Sequence, residues 1–153
     1  MMESRVEEVV RTFESGYTCA QAVFVTYADL FGLDRETALR LSSPMGGGIG
    51  RMREVCGAVS SMALLAGLKE GNTDPDNEEG KERIYLLTRK LAERFKHKHG
   101  TIICRELLGI EGREESAKPS ARTKEYYASR PCSRLVAEAS RIIEAFVIGE
   151  MLL

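Results

Sequence analysis

The sequence predicts an all-α fold: one helical bundle of about six to eight helices in a single domain spanning residues 1–153. Three observations predict it. Apolar residues recur at helical spacing along most of the chain, proline is limited to four residues, and no stretch alternates as a strand would. "TII" at 101–103 is too short to seed a sheet, and no internal repeat is evident.

The elements follow in order. Val6, Val9, Val10 and Phe13 mark a first helix over residues 3–13, which "SGYT" interrupts. Thr18 caps a second helix running to about Phe31. Asp34 is the N-cap of a third, which the glycine run from Gly46 ends. "EVCGAVSSMALLAGLK" is apolar nearly all round, the signature of a central buried helix. "EGNTDPDNEEG" is a polar loop without the ligand spacing of a calcium loop. Residues 78–98 form a long amphipathic helix with Ile84, Leu87, Leu91 and Phe95 on one face. A short helix follows in "HGTIICRELLG". After the polar stretch 113–131, Pro131 opens a last helix from Cys132 to about Glu150.

Charge excludes some functions. Lysine plus arginine number 22 against 23 aspartate plus glutamate, a net charge of -1, which argues against nucleic-acid binding. Aromatic residues are 7% and tryptophan is absent, so base-stacking platforms are not expected. No run approaches the ~20 apolar residues of a membrane helix, so membrane insertion is not expected. The charged N-terminal stretch lacks the apolar core of a signal peptide, and the expected location is cytoplasmic.

The chemistry-bearing residues are four cysteines: Cys19, Cys56, Cys104 and Cys132. No CxxC is present, which removes zinc-ribbon and thioredoxin patterns, and a reducing compartment disfavours permanent disulfides. Each cysteine sits in or near the first turn of its own expected helix and starts an apolar stripe. Helix N-termini present unpaired N–H groups and partial positive charge, so all four thiols are expected to ionise below the ordinary value. The inward-facing stripes allow the four sulfurs to converge. The plain alternative is that they are small core residues.

The stretch "GGGIGRMREVCGAVSS" lacks the lysine of a phosphate loop and the strand of a dinucleotide fingerprint. Gly48, Gly50 and Gly57 are candidates for letting a bound group approach the helix start at Cys56. Arg51 and Arg53 would lower the Cys56 pKa, and Glu54 would oppose them. His97 and His99 in "KHKHG" suit a helix C-terminus better than a metal site.

This stretch, with the cysteines of "GYTCAQAVF", "IICRELLG" and "RPCSRLV", resembles the C_GCAxxG_C_C family of small redox-active proteins. The resemblance runs from about residue 15 to 145 and fills every cysteine position. Ser61 stands where the motif ends in glycine, adding a hydroxyl where a tight helix contact would need bare backbone. The family's company with haem and iron–sulfur modules implies a cluster-bearing role, although no CxxCH is present for covalent haem.

The leading reading is therefore thiol–disulfide or electron-transfer chemistry by Cys19, Cys56, Cys104 and Cys132, with Cys56 as the attacking thiolate. The alternative makes the same four cysteines ligands of zinc or an iron–sulfur cluster. A third reading is a non-catalytic interaction module. A redox partner protein and a homodimer are the expected partners, the apolar tail "AFVIGEMLL" supplying the surface.

Overall fold

The computed structural model describes residues 3–111 and 116–149. Among them are eight α-helices: α1 (Val6–Glu14), α2 (Cys19–Ala28), α3 (Arg35–Ser42), α4 (Gly57–Glu70), α5 (Glu78–His99), α6 (Cys104–Leu108), α7 (Lys124–Ser129) and α8 (Cys132–Ile143). Short 3-10 turns extend α2 through Phe31 and α3 through Met45. The all-α bundle is as expected.

Local chemistry sets the helix starts. The Thr18 hydroxyl accepts from the Gln21 amide, and the Gln21 side chain returns the bond to the Thr18 amide, a complete capping box. Asp34 accepts from the Thr37 amide, and Thr123 from the Tyr126 amide. α5 stops at Gly100, whose φ of 85° is the left-handed conformation that closes a helix.

α2 is the axis of the bundle. Every residue from Ala22 to Ala28 is buried, and the helix touches α1, α3, α4 and α8. α4, the helix expected at the centre, shares it: α2 and α4 make the most extensive contact, and α4 also meets α5 and α8. Small residues let the two axes come close. Gly57, Ala58 and Ser61 of α4 are buried, with Ala20 and Ala22 of α2 on the other side. The Ser61 hydroxyl donates to the Ala20 carbonyl at 2.7 Å. The tight contact that a serine was expected to oppose is thus kept, because the hydroxyl finds an acceptor on the neighbouring helix.

Three expectations need correction. The first helix begins at Val6, three residues late. The polar stretch 113–131, to which the sequence assigns no element, contains a helix, α7, capped by Thr123. α8 ends at Ile143 and continues as a π-helical turn over Glu144–Ile148, and Glu150 lies outside the described residues. In that turn Val147 and Ile148 are in the core, so these two residues of "AFVIGEMLL" are packed inside. Residues 150–153 of the same stretch lie outside the described residues.

A buried polar knot ties the chain's two ends together. The Tyr27 hydroxyl bonds Ser140 and the Glu144 carboxylate, and the Arg5 amide donates to Glu144 at 2.8 Å. Burial, together with the Glu144 carboxylate, raises the Tyr27 pKa strongly, so the phenol stays protonated and donates.

Candidate functional site

The glycine run builds one wall of the site. From Gly47 to Arg53 the chain winds left-handed: φ is 65° at Gly47, 70° at Gly48, 62° at Ile49, 55° at Gly50, 64° at Arg51 and 60° at Arg53. Three of these residues carry side chains, and Ile49 is β-branched, so each costs about 1–2 kcal/mol relative to glycine. Backbone bonds hold the winding, including Gly50 N–H to Pro44 C=O at 2.8 Å and Glu54 N–H to Gly48 C=O at 2.9 Å.

This loop delivers Cys56 to Cys104. Residues 54–56 run antiparallel beside 102–104, with a single bridge between Val55 and Ile103. The Cys56 amide donates to the Ile102 carbonyl at 2.8 Å, and the Cys104 amide to the Glu54 carbonyl at 2.6 Å. Gly48 lies against Cys104, where an added Cβ would stand 2.7 Å from the Cys104 Cβ. Gly57 lies against Cys19, where an added Cβ would stand 2.8 Å from its sulfur. The groups packed closely against these two glycines are the protein's own cysteines, not a bound group.

All four cysteines line one cavity of about 400 Å³. α2 brings Cys19, the loop before α4 brings Cys56, α6 brings Cys104 and α8 brings Cys132. Gly50 and Gly57 also line it. Cys19 and Cys132 are half-buried, whereas Cys56 and Cys104 are buried. The convergence read from the apolar stripes is present.

The sulfurs differ in charge. The Cys56 thiol donates a hydrogen bond to Cys19, and the amides of Gly47, Ala20 and Gly57 point at the same sulfur. Against the cost of burial, these donors lower the Cys19 pKa to about 6. Cys56 shows the reverse. Its hydrogen bond to Cys19 retains its proton, and burial and the Cys19 charge push its pKa well up. Burial raises Cys104 despite Arg53, whose Nη1 donates to its sulfur at 3.7 Å. Burial, then the Cys19 charge, pushes Cys132 up to about 12.

The expectation of four lowered pKa values is therefore met at Cys19 alone. Cys56, expected as the attacking thiolate, is the member of the pair whose pKa rises, and Cys19 is the one whose pKa falls. A helix start lowers a thiol pKa only where several donors reach the sulfur, and burial overrides it elsewhere. Of the charged neighbours expected around Cys56, Glu54 pairs with Arg105 at 3.1 Å, and Arg51 turns away. Its guanidinium bonds the carbonyls of Ser116 and Lys118 and the Ser120 hydroxyl, pinning that segment as a cavity wall.

The same geometry tests zinc and iron–sulfur ligation. Among the described residues, no group of three or more His, Cys, Asp or Glu side chains is arranged to hold a metal ion. The four cysteines line one cavity, but no three of them are arranged as ligands of one ion, which is short of what a zinc or cluster site needs. His97 and His99 lie in the last turn of α5, away from this cavity. His99 stacks on Phe95 with ring centroids 4.9 Å apart, and burial lowers its pKa.

Sequence reasoning missed Arg122, Tyr126 and Arg130, which also line the cavity. Both guanidinium groups lie over the Tyr126 ring, at 4.8 Å and 4.6 Å from its centroid. The alternation of basic and aromatic residues in "ARTKEYYASRP", directly before Cys132, was the available signal.

Fold and site together define a small helical protein with four thiols around one cavity. The family model described as "Putative redox-active protein (C_GCAxxG_C_C)" matches residues 17–146, and the chain belongs to that family. No curated protein and no solved structure matches the chain. Among the described residues no helix is long and apolar enough to cross a membrane.

Proposed function

We propose that this redox-active protein works by thiol–disulfide exchange, with Cys19 attacking and Cys56 resolving. The observation that carries this reading is two unlike thiols in one cavity, with Gly57, next to Cys56, packed against the Cys19 sulfur: Cys19 is half-buried with a pKa lowered to about 6, and Cys56 is buried with its pKa raised. The thiolate is the nucleophile in such exchange, and its partner must be close and able to ionise later.

The electrons balance in two steps. The Cys19 thiolate attacks one sulfur of a disulfide, forming a mixed disulfide and expelling the other half as a thiolate, which takes a proton from water. Cys56 then gives up its proton, and its sulfur attacks the Cys19 sulfur. A Cys19–Cys56 disulfide forms and the second half leaves as a thiolate. Two electrons have passed from the dithiol to the substrate disulfide.

The test is to oxidise the reduced protein with a small disulfide, block remaining thiols and map the cross-links by mass spectrometry. A Cys19–Cys56 bond is expected. Cys56→Ser should accumulate the mixed disulfide on Cys19, and Cys19→Ser should react at the background rate. A protein in which Cys19 and Cys56 both stay free overturns the reading.

A further inference from the structure

The cavity that holds the thiol pair is lined to take negative charge. Arg51, Arg53, Arg122 and Arg130 line it, and no aspartate or glutamate does among the described residues. That local excess stands out in a chain whose net charge is -1. Neither Arg122 nor Arg130 forms an ion pair among the described residues.

Aromatic rings hold both in place. Arg122 lies over Phe13 at 5.2 Å and over Tyr126 at 4.8 Å, and Arg130 lies over Tyr126 at 4.6 Å. Stacking uses the face of a guanidinium and leaves its edge N–H groups for a planar acceptor. Arg122 spends one on the Tyr127 hydroxyl at 3.4 Å, a long contact, and Arg130 makes no side-chain hydrogen bond among the described residues. Both are half-buried, so their charges act through less solvent than surface charges do. Phe13, Leu107, Leu108 and Leu135 add apolar surface to the wall. A volume of about 400 Å³ is that of a small-molecule site and too small for a folded protein segment.

From this we infer that the substrate of the thiol pair is a small carboxylate-bearing disulfide, its carboxylate held by Arg122 and Arg130 and its sulfur–sulfur bond presented to Cys19. This inference rests on the thiol-exchange reading above. The two arginines bind and orient, and the exchange steps are unchanged.

The experiment follows the rate of Cys19 oxidation in the reduced full-length protein with three small disulfides: anionic dithiodipropionate, neutral hydroxyethyl disulfide and cationic cystamine. Each rate is divided by that of a free small thiol, which removes intrinsic reactivity. The anionic disulfide is expected to be favoured over the neutral one by about tenfold or more, the scale of a charge-assisted hydrogen-bonded pair. Arg130→Gln and Arg122→Gln should each remove most of that preference, read as the ratio of the anionic to the neutral rate. Arg130→Lys, which keeps the charge and loses the fork, should fall between. Arg122 packs on Phe13, so a folding defect in its variant would lower the neutral rate as well; Arg130→Gln then carries the comparison. Equal normalised rates for the three disulfides, or a preference that survives both glutamine variants, overturn the substrate assignment and leave the exchange reading standing. No oxidation of Cys19 by any of the three overturns the exchange reading itself.

Discussion

Gly57 makes room for the sulfur of Cys19: a Cβ at this position would lie 2.8 Å from it and 2.9 Å from the Met45 carbonyl oxygen. The first residue of α4 thus sets where the first residue of α2 can place its thiol. Its amide is also one of the donors that lower the Cys19 pKa. Gly57→Ala should push the sulfur off those donors and away from Cys56. The alkylation rate of Cys19 at neutral pH should fall, and formation of the Cys19–Cys56 disulfide should slow by about tenfold or more, since misplacement by ~1 Å costs much more than that in positioned reactions. Unchanged rates with an intact fold would show that the contact is incidental.

The ionisation of Cys19 predicts a pH profile. With a pKa of about 6, the thiolate fraction rises with pH and is nearly complete at pH 7, whereas an ordinary thiol is still mostly protonated there. Alkylation of Cys19 by iodoacetamide should therefore level off above about pH 7, while the other three thiols react slowly throughout. The first cause is the proton donated by Cys56. Cys56→Ala removes that donor and should move the midpoint upward. Cys56→Ser keeps an O–H donor and should leave it closer to wild type. A midpoint indifferent to both variants would mean that the pair does not share a proton.

How much of this was legible in the sequence depends on the range of the interaction. The bundle was legible because helical periodicity, Thr18 and Asp34 act within a few residues of themselves. α7 was obscured because its segment has no apolar stripe and is held by a cap and by stacking on Tyr126. The gathering of the cysteines could be read because each begins an inward face. Which of them ionises could not be read, because the hydrogen bond from Cys56 to Cys19 joins residues distant in the chain. Arg122 and Arg130 were overlooked for the same reason: a basic residue in a polar stretch looks solvated until the fold brings it to a cavity.

Ser61 stands where the resemblance implied a glycine, and in this fold its hydroxyl stabilises the α2–α4 contact. Its buried hydroxyl donates to the Ala20 carbonyl at 2.7 Å. Ser61→Gly loses that bond, about 1 kcal/mol, and replaces serine by glycine in a helix interior, about another 0.5 kcal/mol. Ser61→Val would overpack the α2–α4 contact and strand the carbonyl partner, costing about 1–3 kcal/mol. Chemical denaturation should rank wild type above both. A glycine variant as stable as wild type would show that the hydroxyl contributes nothing.

The left-handed loop gives the last prediction, because two adjacent positions should respond in opposite directions. Ile49 is β-branched at φ 62°, and its side chain is 37% exposed, so it gains little packing in return for the conformation it adopts. Ile49→Gly relieves about 1–2 kcal/mol of backbone strain and loses up to about 1 kcal/mol to the freer unfolded chain. The net change should be a small gain in the denaturation midpoint. Gly48, at φ 70°, is the opposite case. A Cβ there would lie 2.7 Å from the Cys104 Cβ and 2.7 Å from the Glu54 amide nitrogen, and backbone cannot swing aside as a long side chain can. Gly48→Ala should cost about 2 kcal/mol or more from strain and overlap together. It should also loosen the Cys104 amide bond to the Glu54 carbonyl, which amide hydrogen exchange would detect as faster exchange at Cys104. If Gly48→Ala is tolerated and Ile49→Gly destabilises, the left-handed winding is not what holds residues 54–56 beside 102–104.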